Sequence, residues 1–139
     1  MEADVAFLND PHALKADMVD GAIGELSQFH QEYAYYGQGV EVSTAILPDG
    51  WRNRLVGFVS ESAEPASALC LDPHDLVVSK LAARREKDFA FSLALIKAGL
   101  VDPDTLLERA AMLPDPHGMH RAAVIYWLHD TGTKARRRR

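Results

Sequence analysis

LDPHDLVVSKLAARREKD, residues 71–88, decides the reading of the carboxyl half of this 139-residue chain. Its Asp72-Pro73 pair marks a helix start, because an Asp at the cap accepts from orphan backbone N–H groups and proline's fixed φ suits the first helical position. Leu76, Val77 and Leu81 then recur at helical spacing, and Arg84, Arg85, Lys87 and Asp88 crowd the junction to a second helix. The same Asp-Pro pair recurs at Asp10-Pro11, Asp102-Pro103 and Asp115-Pro116, so four starts are marked. The second helix runs from about Lys87 through FAFSLALIKAG, with Phe89, Leu93 and Ile96 on one side and Gly99 as its stop. A third contains LLERAAML, and a fourth carries Ala122, Ile125, Tyr126 and Leu128.

The amino half reads differently. MEADVAFL is a strand that places Glu2 and Asp4 on one face, with Val5 and Phe7 expected in the core. HALKADMVDGAIGELSQF is a helix with Leu14, Met18, Ala22 and Leu26 near helical spacing, weakened by Gly21 and Gly24. Val40, Val42 and TAIL predict a strand ended by Pro48-Asp49-Gly50, with Leu55–Val59 as its hairpin partner. SESAEPAS is a loop and Ser67–Leu71 a short apolar strand. The expected class is α+β: a small mixed sheet with a packed helix, then a helical carboxyl half.

Composition is that of an ordinary globular domain, with 47% apolar and 25% charged residues. One domain over residues 1–130 is expected, followed by a basic disordered tail, 131–139. No apolar run approaches a membrane span, and no signal pattern opens the chain. The single Cys70, in ALCL, rules out an internal disulfide and reads as a buried core thiol. A cytoplasmic protein with no membrane partner is expected. The net charge of −5 hides an asymmetry, since the tail KARRRR carries five of the fifteen basic residues. The remaining chain is near −10 and should repel nucleic acid unless a metal or local patch compensates, while the arginine run could bind RNA or an acidic partner.

Two constellations carry chemistry. Carboxylates two apart on a strand, Glu2 and Asp4, can converge on a hard cation such as Mg²⁺, which takes one or two protein carboxylates and completes its shell with water and phosphate. An exposed acidic strand edge fits the spacing too. In residues 71–88, Lys80, Arg85 and Lys87 can neutralise phosphates while Asp88 orients one of these cations; a salt-linked helix–helix corner fits as well. Tyr33, Tyr35 and Tyr36 beside Gly37 and Gly39 can stack a base or pack a loop on the sheet. His117 and His120 have a ligand-like interval but no third ligand nearby, and Trp51 and Trp127 read as core or interface anchors.

The stretch from GAIGELSQFH through YYGQGV, TAILPDGW and LDPHDLVVSKLAARREKD to VDPDTLLER resembles a bacterial nucleotidyltransferase-like family related to the AbiEii/AbiGii-type toxin nucleotidyltransferases. The resemblance covers about Glu2 to Leu113, and the spacing of Lys80, Arg85, Lys87 and Asp88 is its most specific element. Such enzymes typically carry a Gly-Ser or Gly-Gly turn at a helix start, then a strand bearing two acids one residue apart. EADV matches the second half, whereas only Met1 precedes Glu2. The resemblance therefore implies a nucleotidyltransferase lacking its amino-terminal turn. A start assigned too far downstream is the expectation over a decayed fragment or a binding module.

What the resemblance implies is metal-dependent transfer of a nucleotidyl group from a nucleoside triphosphate to RNA or protein. Glu2 and Asp4 would hold Mg²⁺; Asp4, Lys80 and Asp88 would be catalytic; Lys80, Arg85 and Lys87 would contact substrate phosphates. The setting would be a toxin–antitoxin system, with an antitoxin protein as partner. As truncated, such an enzyme could be inactive; the alternative is a non-catalytic protein-interaction module of a toxin–antitoxin or defence system.

Overall fold

A computed structural model describes residues 2–115 and 118–136, with side chains to residue 131. The chain divides into two compact units, Met1–Ala45 and Ile46–Arg139. The architecture is α+β, with two small two-stranded sheets and a helical carboxyl half.

The first unit holds β1 (Glu2–Ala6), α1 (Leu14–Ile23), α2 (Gln28–Tyr33) and β2 (Tyr36–Val40). β1 and β2 run parallel, pairing Glu2 with Tyr36, Asp4 with Gln38 and Ala6 with Val40, which requires the helical crossover between them. Alternation along the pleat puts Gly37 and Gly39 on one face of β2, and α1 covers that face. A Cβ on Gly37 would come within 2.7 Å of Ile23 Cδ1, and one on Gly39 would run into the Ala16 carbonyl. The Gly39 N–H donates to Asp20 Oδ1 at 2.7 Å, locking the approach.

That close approach corrects two expectations. Ala16 is the buried residue of α1, while Leu14, Met18 and Leu26 are 63%, 74% and 80% exposed. A helix seated on glycines brings its small residue closest, so Leu14 and Met18 turn outward while Ile23 packs on Gly37. Val5 and Phe7 are half-buried, as is Leu93 in the second unit. The single helix read from Pro11 is also two. Gly24 closes α1 through an N–H donated to the Asp20 carbonyl, Leu26 turns the chain at φ 66, and the Ser27 hydroxyl then caps α2 by accepting from the His30 N–H.

β2 ends at Val40, and Val42–Thr44 forms a 3₁₀ turn rather than continuing the strand expected through TAIL. The expected hairpin is replaced too. β3 (Val56–Val59) pairs antiparallel with β4 (Ser67–Cys70), not with the segment before Pro48. The reason lies at Gly50, whose φ of 77 turns the chain into a 3₁₀ turn over Trp51–Arg54, and Arg54 is anchored away from the ribbon. Cys70 lies on that ribbon and is exposed, not a core thiol.

The rest of the second unit is helical: α3 (Pro73–Ala83), α4 (Glu86–Lys97), α5 (Pro103–Ala111) and α6 (Met119–Arg136). α3 is central, contributing Val77, Val78, Leu81 and Ala82 to a core completed by Val101, Leu106, Ala110, Leu113, Val124 and Leu128. Phe89, Leu95, Ile96 and Trp127 pack against it, with the Phe89 and Trp127 rings 5.8 Å apart. Gly99, at φ 69, follows the end of α4. All four Asp-Pro aspartates accept helix N–H groups: Asp10 from Lys15 and Ala16, Asp72 from His74 and Asp75, Asp102 from Thr105, and Asp115 from Arg121. α6 extends through Arg136; the last three arginines of the expected tail, 137–139, and His117 lie outside the described residues.

Candidate functional site

Glu2 and Asp4 lie on β1, and the parallel register places them beside Tyr36 and Gln38. Since α1 covers the face of Gly37 and Gly39, alternation puts Glu2, Asp4, Tyr36 and Gln38 on the opposite face. The Tyr36 hydroxyl donates to Glu2 Oε2 at 2.8 Å, and the Tyr36 ring lies 4.7 Å from that of His30. The Glu2 carboxylate accepting its proton, with burial second, pushes the Tyr36 hydroxyl from 10.0 up to about 12. Among the described residues no group of three or more His, Cys, Asp or Glu is arranged to hold a metal. Two carboxylates are a donor set that suits Mg²⁺ when water and phosphate complete its shell, not a closed protein cage.

Lys80, Arg85, Lys87 and Asp88 belong to the second unit, at the corner between α3 and α4. Arg84 makes the corner by adopting a left-handed φ of 60 and donating its N–H to the Lys80 carbonyl. Arg85 follows in extended backbone and grips Asp88 with two arms of its guanidinium, Nε to Oδ2 at 2.7 Å and Nη2 to Oδ1 at 3.2 Å. Asp88 is buried while the Arg85 side chain is half exposed. The geometry is that of a carboxylate fixing one cation at a helix start, beside the half-buried Lys80 and the exposed Lys87.

Among the described residues the most deeply buried charge is an acid in the first turn of α3, a place where the helix dipole alone would favour a carboxylate. Asp75 is fully buried on α3 and accepts from Arg54 Nε at 2.8 Å and Nη2 at 3.1 Å, with Arg109 Nε at 3.3 Å. The signal was its position beside the apolar run LVV, which turns inward whatever precedes it. Close by, the Asp102 N–H donates to His74 Nε2 at 3.0 Å. His74 therefore carries its proton on Nδ1, 3.2 Å from Asp72 Oδ1, and ties the cap of α3 to the cap of α5.

Two further features stand in the first unit. A shallow crevice of about 360 Å³ opens between Phe7–Pro11 and Val40–Ser43, at the carboxyl ends of β1 and β2. Phe29, Tyr33 and Tyr35 form an aromatic cluster, with ring centroids 4.8 to 6.2 Å apart, in which both tyrosines are about half exposed. Among the described residues no helix is long and apolar enough to cross a membrane. No family model, curated protein or solved structure matches the chain.

Proposed function

We propose that this chain is a nucleotidyltransferase-like protein whose reaction moves a nucleotidyl group from a nucleoside triphosphate to RNA or protein with Mg²⁺. The observation that carries the reading is the pair Glu2 and Asp4 on the face of β1 that α1 leaves uncovered. Glu2 and Asp4 would hold the ion, which supplies charge neutralisation at phosphate. Lys80 and Arg85 offer cations to phosphate oxygens, and Asp88 fixes the Arg85 guanidinium. Phosphoryl chemistry rests on positioning and charge neutralisation, so these residue types suffice in principle. Two acids on one face repel a triphosphate unless a cation bridges them, so binding should require a divalent ion. Lys80→Ala should weaken triphosphate binding by about tenfold or more, the worth of one charge-assisted bond. Calorimetry with and without Mg²⁺ reads both.

A second reading, a non-catalytic interaction module of a toxin–antitoxin or defence system, is favoured by the β3–β4 ribbon. Val56, Phe58, Val59 and Leu69 are 51% to 67% exposed there, and neither strand carries a charge. Tight binding of a protein partner without any Mg²⁺-dependent nucleotide signal would select this reading.

A further inference from the structure

We propose that Arg54 and Arg109 form a site for a phosphate-class oxyanion on the second unit, over the buried Asp75. This stands apart from the reading of Glu2 and Asp4. One carboxylate here faces two guanidiniums, and Arg54 uses both of its oxygens: Nε takes Oδ2 at 2.8 Å and Nη2 takes Oδ1 at 3.1 Å. Arg54 is itself held in place. Its Nη2 also donates to the Asp49 carbonyl at 3.0 Å, and a Cβ on Gly50 would press within 2.9 Å of its Nη1. The tight turn at Gly50 thus wraps this arginine against Asp75.

Arg109 is left with the remainder. Its Nε is ion-paired at 3.3 Å with an Asp75 oxygen already engaged, and among the described residues it is buried without a hydrogen-bond partner. Among the described residues its Nη1 reaches the Met112 sulfur, 4.0 Å away and a weak acceptor. A buried donor without a partner needs a physical account, because natural structures satisfy nearly all of them. Excess positive charge in partly buried surroundings attracts an anion more strongly than an exposed charge does. About a fifth of the Arg109 side chain, 21%, reaches the surface, but Nε is covered, so an anion would have to meet the guanidinium at its Nη end. A planar fork matches the oxygens of phosphate pairwise, and a dianion gains more from that field than a carboxylate.

The test is a titration of the full chain with inorganic phosphate at constant ionic strength, in parallel with adenosine monophosphate, which separates the free ion from a phosphorylated ligand. Arginine Nε–H resonances report each site. The Arg109 resonance should shift saturably with at least one probe, and Arg109→Gln should weaken that binding about tenfold or more. Arg52→Gln, which removes a cation stacked 5.1 Å from the Trp51 ring, should leave it unchanged. Should Arg109→Gln fail to fold, the wild-type resonance still decides. An Arg109 signal unmoved by both probes, or equal binding by the folded Arg109→Gln chain, overturns the site and reduces phosphate contact to an adventitious ion only.

Discussion

The Tyr36 hydroxyl and the Glu2 carboxylate, paired in register across β1 and β2, share a 2.8 Å hydrogen bond on the sheet face that α1 leaves uncovered. The bond holds the Tyr36 proton up to about 12, above its ordinary 10.0. Because the folded value is raised, the neutral phenol favours the fold below pH 10, and that contribution is lost as pH rises through about 12. By absorbance, the Tyr36 tyrosinate should form only at high pH, and Glu2→Gln should return its titration toward 10. A Tyr36 that titrates at its ordinary 10.0 would contradict the bond.

Gly39 and Gly21 should respond to alanine in opposite directions. At Gly39 the added methyl meets the Ala16 backbone, which cannot swing aside, so Gly39→Ala should cost about 1–3 kcal/mol and loosen the parallel pair. At Gly21, inside α1, nothing lies within 4 Å, so Gly21→Ala should stabilise by roughly 0.5–1 kcal/mol. Amide exchange in β1 and β2 separates the two, since both tryptophans belong to the second unit.

Arg54→Ala should destabilise the second unit by about 3 kcal/mol, because it strips both hydrogen bonds from a fully buried carboxylate. Urea unfolding followed by tryptophan emission measures it. A loss under about 1 kcal/mol would mean that Arg109 alone can hold Asp75.

The helix caps predict an acid limit. For Asp72, burial works to raise the carboxyl, but the His74 and Asp75 N–H groups and the His74 ring outweigh it and hold it below 3.8. Asp102 is lowered chiefly by the Thr105 N–H and hydroxyl. Both folded values are depressed, so their stabilisation is full above the ordinary carboxylate range and is lost as pH falls below 3.8 through the folded values. Asp72→Ala should cost about 1 kcal/mol at neutral pH, and much less at pH 2. An equal cost at both pH values would show that the carboxylate charge contributes nothing.

The helical half was legible because Asp-Pro pairs announce its caps in four residues' worth of chemistry, and Asp72 and Asp102 accept as that chemistry requires. The strands were harder. Nothing local distinguishes a Val42 that continues a strand from one in a 3₁₀ turn; the decision falls to β1, thirty-odd residues earlier, which pairs with Tyr36–Val40. The orientation of α1 was hidden for a similar reason. Leu14 and Met18 look like a core stripe until Gly37 and Gly39 are known to sit beneath Ala16 and Ile23. At the candidate site, Glu2 and Asp4 could be read from alternation alone, and the Arg85–Asp88 pair from i, i+3 spacing. The partnership of Asp75 with Arg54 and Arg109 joins residues 21 and 34 positions apart, which no local pattern encodes.

Transfer of labelled nucleotide to bulk RNA and protein, with and without Mg²⁺, tests the central proposal most directly. Glu2 and Asp4 lie on a strand face away from α1, so Asp4→Asn should preserve the fold while removing one of the two negative charges offered to the ion. Nucleotidyltransferase chemistry at this pair predicts labelling by the wild type that needs Mg²⁺ and disappears in Asp4→Asn with an unchanged circular dichroism spectrum. Equal labelling by both chains, or none by the wild type with any nucleoside triphosphate, would contradict it.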